Sequence, residues 1–262
     1  MSSLYFSSHA MPLRVPSYCC FELGDCSDVD YESYKIALLK KGIVLIHLGF
    51  SDDSAEVMED IVSTIGLVHE HDSLGRTIWD VRIGGETGNE ALAISHSDRE
   101  FFLHNDGAFE SEMPGYFGLF VVHADMHGGG ENILVCADRI IESLSDKTFQ
   151  ILSTNKFKLR VPEEFRKSSD FIEASLIDES HGFRYRYDII ERGYCSSDEL
   201  KALHELELKI SLPHNMFKVR LNNNQILLLD NRRYLHARTG IKDRKRHLKR
   251  IRFNMPATLR VA

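Results

Sequence analysis

From residue 76 to residue 255 the chain breaks into short runs of β-branched and aromatic residues, four to eight long, separated by Gly, Pro, Asn and Asp. The candidate strands are Thr77–Arg82, Glu100–His104, Tyr116–His123, Asn132–Val135, Lys156–Val161, Phe183–Ile189, Met216–Leu221, Gln225–Leu229, Arg232–His236 and Leu248–Asn254. Strands this short must pair with one another and bury a face, which selects a barrel or a sandwich. Helices interrupt only near Ala137–Leu152 and Ser197–Ile210. The βαβα alternation of a doubly wound sheet is absent. Gly128, Gly129 and Gly130 lie between two strands rather than between a strand and a helix, so they make a turn and not a nucleotide loop.

Before residue 76 two helices flank a single strand. Asp30–Lys41 places Tyr31, Tyr34, Ala37 and Leu38 at helical spacing and stops at Lys-Lys-Gly. Ser54–Ile65 reads as a second helix capped by Ser54, with Val57, Met58, Ile61, Val62 and Ile65 on one face. Between them Ile43–Leu48 is apolar and β-branched, a strand. The expected organisation is one domain over 1–262: an irregular segment 1–25, flanking helices over 26–75, and a β core over 76–255 with helical insertions. The polar stretch 162–182 between strands is a candidate lid.

Charge removes several function classes. With 32 basic and 39 acidic side chains the net charge is −7, against the clustered cations that a nucleic-acid surface needs. No apolar run approaches the roughly 20 residues of a membrane span. The start lacks the basic-then-apolar order of a secretory signal. Cys19, Cys20, Cys26, Cys136 and Cys195 are an odd set without metal-ligand pairing. Reduced thiols and a cytoplasmic location follow as expectations. Oligomeric state is not readable.

The chemistry turns on His-x-Asp, because side chains at i and i+2 of a strand share a face and can grip one metal. A distant third ligand completes a two-histidine, one-carboxylate face with open positions for a co-substrate and O₂. Three pairs compete. His96/Asp98 sits in a polar stretch and reads as a solvated loop. His123/Asp125 reads as a satisfied strand-end histidine and a turn aspartate. His104/Asp106 ends an apolar strand beside Gly107 and is the strongest of the three. The third ligand is supplied by Gln225–His236, which reads as strand, polar turn and strand ending in His236. Ten residues on, Arg246 and Arg250 share one side of a strand with Leu248. Pointed into a barrel, such a guanidinium requires an anionic partner, and a dicarboxylate ligand would bind it bidentately. A solvated basic face is the alternative.

The ordered set His104-x-Asp106, His236, Arg246 and Arg250, with LHNDGAFE, GGGEN and LLLDNRRYLHAR, resembles the iron(II)- and 2-oxoglutarate-dependent oxygenases of the taurine dioxygenase superfamily. Its clavaminate synthase-like and carbapenem synthase-like branch is the most similar, and the likeness runs from about residue 35 to residue 255. The resemblance implies a double-stranded β-helix (jelly-roll) barrel. It also implies Fe(II), 2-oxoglutarate and O₂ as cofactor and co-substrates, with release of succinate and CO₂. It makes His104, Asp106 and His236 the catalytic iron ligands, pairs Arg246 with the distal carboxylate of 2-oxoglutarate and sets Arg250 beside it. Asn132 stands where many relatives have a threonine for that carboxylate. His69 falls where the taurine enzyme has a substrate-contacting histidine. Further candidates for the substrate pocket are Trp79, Asp80, Arg82, Phe109, Glu110, Arg184 and Arg186. A carboxylate at Asp106 argues for hydroxylation, desaturation or cyclisation rather than halogenation. The implied substrate is a small molecule of secondary metabolism, an amino acid or amino-acid derivative. A cupin-like metal-dependent isomerase or hydrolase, or a binding module that lost the chemistry, are the competing readings.

Overall fold

A computed structural model describes residues 11–12, 15–70, 75–84, 93–166, 169–178 and 182–256. Helix α1 (Tyr31–Lys41) starts at Asp30, whose carboxylate accepts from the Ser33 N–H, and stops at Gly42 with φ +72°. Helix α2 (Glu56–Ile65) is capped otherwise than expected. Ser54 does not bond to the helix. Asp52 accepts from the Glu56 and Val57 N–H groups, and Ser54 Oγ donates to that same carboxylate. The run expected at Ala137–Leu152 divides at Leu144 into α3 (Ala137–Ser143) and α4 (Asp146–Thr154), because Ser145 caps a new helix by accepting from the Thr148 N–H. Helix α5 (Ser197–Ser211) opens with a capping box between Ser196 and Glu199.

The strands form two large sheets and a hairpin. The first sheet runs β1 (Met11–Pro12), β11 (Met216–Val219), β8 (Asn132–Cys136), β13 (Tyr234–Arg238), β6 (Phe101–His104). The second runs β2 (Cys20–Leu23), β3 (Ile43–Leu48), β12 (Gln225–Asp230), β7 (Tyr116–His123), β14 (His247–Asn254). On its far edge β14 pairs with β4 (Leu67–His69) at one end and with β5 (Ile78–Arg82) at the other. The hairpin pairs β9 (Phe157–Arg160) with β10 (Phe171–Ala174). The chain is thus mainly β with flanking helices. The two sheets are not joined by a strand pair among the described residues, so hydrogen bonding does not close them into one barrel.

Period-2 alternation sorts each strand between a helix-facing and a sheet-facing side. In the first sheet Leu103, Ile133, Val135, Leu235 and Ala237 face α3, α4 and α5. In the second sheet Ile226, Leu228, Ile251, Phe253 and Phe120 face α1 and α2. Between the sheets lie Phe117, Val121, Leu134, Leu227, Leu229 and Leu248. The candidate site occupies this inner layer, where Leu134 and His236 are opposite residues of neighbouring strands.

One expected strand is absent. Phe183–Ile189 makes isolated bridges and then a 3-10 turn. Its Tyr185 N–H donates to a side chain, Asn105 Oδ1, and its Phe183 N–H to Arg232 O, so no ladder can propagate. The 162–182 segment contributes a 3-10 turn, Glu163–Phe165, and β10; residues 167–168 and 179–181 lie outside the described residues, as do residues 1–10 of the segment expected to be irregular. No described helix is long and apolar enough to cross a membrane.

Candidate metal centre

His104 and His236 meet because β6 and β13 place them directly opposite in register. Side chains of such a pair leave the same face, and here the ring centroids are 4.1 Å apart. Asp106 lies beyond the end of β6, so its position is not set by strand alternation. Two buried asparagines set it. The Asp106 N–H donates to Asn231 Oδ1 at 2.9 Å, while Asn231 Nδ2 donates to Asp106 O at 2.9 Å and Pro114 O at 2.8 Å. Asn105 bonds Tyr185 through its backbone N–H and its Oδ1, and its Nδ2 donates to Asn231 O. Gly107, with φ +64°, then turns the chain away. Asp106 Oδ1 is held 3.6 Å from Nε2 of both histidines. One ligand atom from each of the three residues lies within 4.8 Å of the others, the one such cluster among the described residues.

The electrostatics suit a cation. His104 Nδ1 donates to Phe102 O at 2.8 Å, which leaves the Nε2 lone pair turned towards Asp106. Phe101 stacks on that ring at 3.8 Å and fixes its plane. Burial, followed by the nearby His236, pulls the His104 pKa down to about 4, so the ring is a neutral ligand at pH 7. Burial pushes the Asp106 carboxyl up. Arg250 and the two histidines outweigh it and hold the group well below the usual carboxylate range. Arg250 Nη1 sits 3.0 Å from Asp106 Oδ1, and Asp106 Oδ2 is buried with no hydrogen-bond partner, as is His236 Nδ1. A three-ligand face with an unused carboxylate oxygen fits a divalent metal.

Arg246 is the second centre. It is 3% exposed, its Nη1 has no hydrogen-bond partner, and it makes no ion pair among the described residues. Burial, then the like charge of Arg238, pulls its pKa down to about 9. Arg246, Arg238, Asn132, His104 and His236 line one cavity of about 440 Å³. A buried, uncompensated guanidinium facing a void that ends at the candidate metal ligands His104 and His236 fits a dicarboxylate. The glycine run makes room for it. A Cβ on Gly130, whose φ is +63°, would come within 2.7 Å of Arg246 Nε. Asn132 is buried on the cavity wall, opposite Arg238 in register, and its Nδ2 donates weakly to Val219 O at 3.5 Å.

The other expected site residues divide. Phe109 lines a second cavity of about 380 Å³ that shares Ser95, Phe101, His104 and Arg250 with the first. Glu110 is bound to His69 at 2.8 Å and to Arg252, so its carboxylate is already partnered within the protein. Trp79 is buried, with its ring against Phe165 at 6.1 Å and His96 at 5.4 Å. Arg82 opposes His247 on the outer face of β14, the same side as Asp80, and lines neither cavity. Arg184 clamps the turn after the metal loop by donating to the carbonyls of Ala108, Glu110 and Ser111. The His123/Asp125 pair is structural: Asp125 accepts from four backbone N–H groups. His96 is not a solvated residue but buried, with Nδ1 donating to Arg82 O at 3.0 Å. Sequence reasoning missed Asn105, Asn231, Arg238 and Arg252. Asn231 had a signal, since it stands in the DNRR turn directly before the distal histidine strand; Arg238 had one too, since it follows His236 by two residues and shares its face of the strand.

The model of the taurine catabolism dioxygenase TauD, TfdA family matches residues 21–252. Among solved structures the chain is similar to an asparagine oxygenase in complex with Fe(II), 2S,3S-3-hydroxyasparagine and succinate (19% identity, TM-score 0.70, 86% of this chain and 81% of that one). It is also similar to the non-heme iron oxygenase OrfP in complex with Fe and alpha-ketoglutaric acid (15%, TM-score 0.67, 87% and 79%). A third is PvcB from Pseudomonas aeruginosa (15%, TM-score 0.67, 93% and 90%). No curated protein matches. These structures share the fold. Since the family model spans nearly the whole chain, strand pairs and metal loop included, the protein belongs to the TauD/TfdA family of dioxygenases.

Proposed function

We propose that the protein is an iron(II)- and 2-oxoglutarate-dependent dioxygenase that oxidises a small amino acid or amino-acid derivative. The observation that carries the reading is the pairing of the His104, Asp106, His236 face with the buried, unpartnered Arg246 in one cavity. An isomerase or hydrolase on the same metal face has no use for that guanidinium. His104, Asp106 and His236 would hold the iron, and Arg246, with Asn132 beside it, would hold the far carboxylate of the keto acid. When bound, iron, 2-oxoglutarate and O₂ supply the oxidant, with succinate and CO₂ as by-products.

The chain's own residues bind and orient. Arg246 fixes one end of the co-substrate, so its reacting end is delivered to the metal face at high effective concentration. Arg250 keeps Asp106 ionised. Asn231 and Asn105 hold the metal loop, and Phe101 and Phe117 wall in the histidine rings. The two facing sheets with helices on their outer faces support the double-stranded β-helix reading. The amino-acid class draws support from asparagine oxygenase, whose crystals hold a hydroxyasparagine, and from OrfP, crystallised with a hydroxylated arginine. The test is anaerobic addition of Fe(II) and 2-oxoglutarate. A weak visible charge-transfer band that forms with the parent protein and is lost in His104→Ala supports the reading; no band from the parent overturns it.

A further inference from the structure

The cavity of about 380 Å³ beside the metal face carries an excess of one charge that the protein leaves unmatched. Three guanidiniums line it, and each already has a carboxylate. Arg186 grips Asp188 through Nε and Nη2 at 2.8 and 2.9 Å, Arg250 holds Asp106 at 3.0 Å, and Arg252 holds Glu110. The remaining charged side chain on the lining is Glu164, which is half-buried and has no ion pair or side-chain hydrogen bond among the described residues. A carboxylate facing a walled cavity whose arginines are satisfied calls for a cation from outside.

The position of Glu164 is built rather than incidental. It is the middle residue of the 3-10 turn Glu163–Phe165. Phe165 stacks on Phe109 at 4.9 Å and lies against Trp79 at 6.1 Å, and Arg166 is paired with Asp170 at 2.9 Å. Those contacts hold the turn over the cavity. Phe109 and Phe165 also present aromatic surface to the same space, which favours a cation over an anion. Trp79 lines neither cavity and packs beside Phe165.

We propose that Glu164 is a specificity-determining residue that receives a cationic nitrogen of the substrate, an ammonium or a guanidinium. This rests on the oxygenase reading and narrows its substrate class. The nitrogen has two sources, the α-ammonium of any free amino acid or the side chain of a basic one.

The test is calorimetric binding to the anaerobic Fe(II)·2-oxoglutarate holoenzyme, whose visible band is recorded first. The probes are L-arginine, L-lysine and L-asparagine, their Nα-acetyl derivatives and the matching 2-hydroxy acids. Binding of all three free amino acids, abolished by acetylation, assigns the α-ammonium. Binding of arginine and lysine in both free and acetylated forms, without asparagine, assigns the side chain. In either case Glu164→Gln weakens the best probe about 10- to 100-fold, the loss of one hydrogen bond to a charged group. Glu164→Asp keeps part of the affinity, and both variants keep the visible band and the parent melting temperature. Equal affinity for cationic and uncharged probes, unchanged affinity in Glu164→Gln, or no binding of any cationic probe while the band forms overturns the inference and leaves the oxygenase reading intact. Failure of the band in the parent protein overturns the reading itself.

Discussion

Replacing Arg246 with methionine should stabilise the ligand-free protein and abolish its response to 2-oxoglutarate. The guanidinium is 3% exposed and its pKa falls to about 9. A free guanidinium titrates above about 12, so the displacement is roughly three pH units, or about 4 kcal/mol held against the charged form. Methionine fills much of the same volume without charge. The residue nearest to losing a partner is Asp125, and it keeps its four backbone donors. Allowing about 2 kcal/mol for lost packing of the arginine stem, the net gain is about 2 kcal/mol, a melting temperature higher by about 5 °C. With Fe(II) under anaerobic conditions, 2-oxoglutarate at a hundred times its Kd should add about 2.7 kcal/mol to the parent. Without the charge-assisted pair, which contributes about 2–5 kcal/mol, the same concentration should add almost nothing. Scanning calorimetry of both proteins with and without the keto acid reads all four values. A variant that melts below the parent, or that still responds to 2-oxoglutarate, refutes the assignment of Arg246 as a charge kept for an absent anion.

Other consequences follow from the same contacts. Gly130→Ala puts a methyl against Arg246 Nε at a φ of +63°, so the KM for 2-oxoglutarate should rise about tenfold or more while metal affinity, read by titration of the metal-free protein, stays within about twofold. Asn231→Ala removes three buried hydrogen bonds that hold Asp106 and Pro114; it should cost about 3 kcal/mol of stability and lower metal affinity about 10- to 100-fold, and an unchanged metal affinity would contradict the loop-clamp role. The pH dependence has a definite sign. The unfolded chain takes up a proton at the His104 ring near pH 6.5 and the folded one only near pH 4. Metal-free protein should therefore lose up to about 3 kcal/mol as pH falls through that window, and His104→Gln should flatten the slope in denaturant titrations. Asp106 is shifted in the same direction and adds to the loss, but only at lower pH, where its folded form remains ionised after unfolded carboxyls have protonated.

What could be read from the chain was whatever depends on local period and spacing. The metal pair was legible because an apolar strand ends in His104 and a second apolar strand carries His236, and cross-strand register does the rest; that second strand runs on to Arg238 rather than ending at His236. The place of Asp106 was not, since it depends on Asn231, 125 positions away in sequence. Arg82 shows the cost of unknown register. It neighbours Val81, which faces the inner layer, and a single-residue step turns it to the outer face beside His247. His69 and Glu110 have charges suited to a substrate, and only the fold reveals that they satisfy each other. The run Phe183–Ile189 has strand-like alternation, yet its donors go to Asn105 and Arg232 rather than to a ladder. Ser54 reads as a cap by residue type, but Asp52 reaches two N–H groups where the hydroxyl reaches none. The expected lid segment holds Glu164 over the second cavity, a role that its polar composition alone could not specify.

The most direct measurement is a crystal structure of the anaerobic complex with Fe(II) and 2-oxoglutarate. The account predicts one metal bonded at about 2.0–2.2 Å to Nε2 of His104, Nε2 of His236 and a carboxylate oxygen of Asp106, with the remote carboxylate of the keto acid on Arg246 Nη1. A metal that lacks any one of those three ligands, or a keto acid whose far end lies away from Arg246, would contradict it.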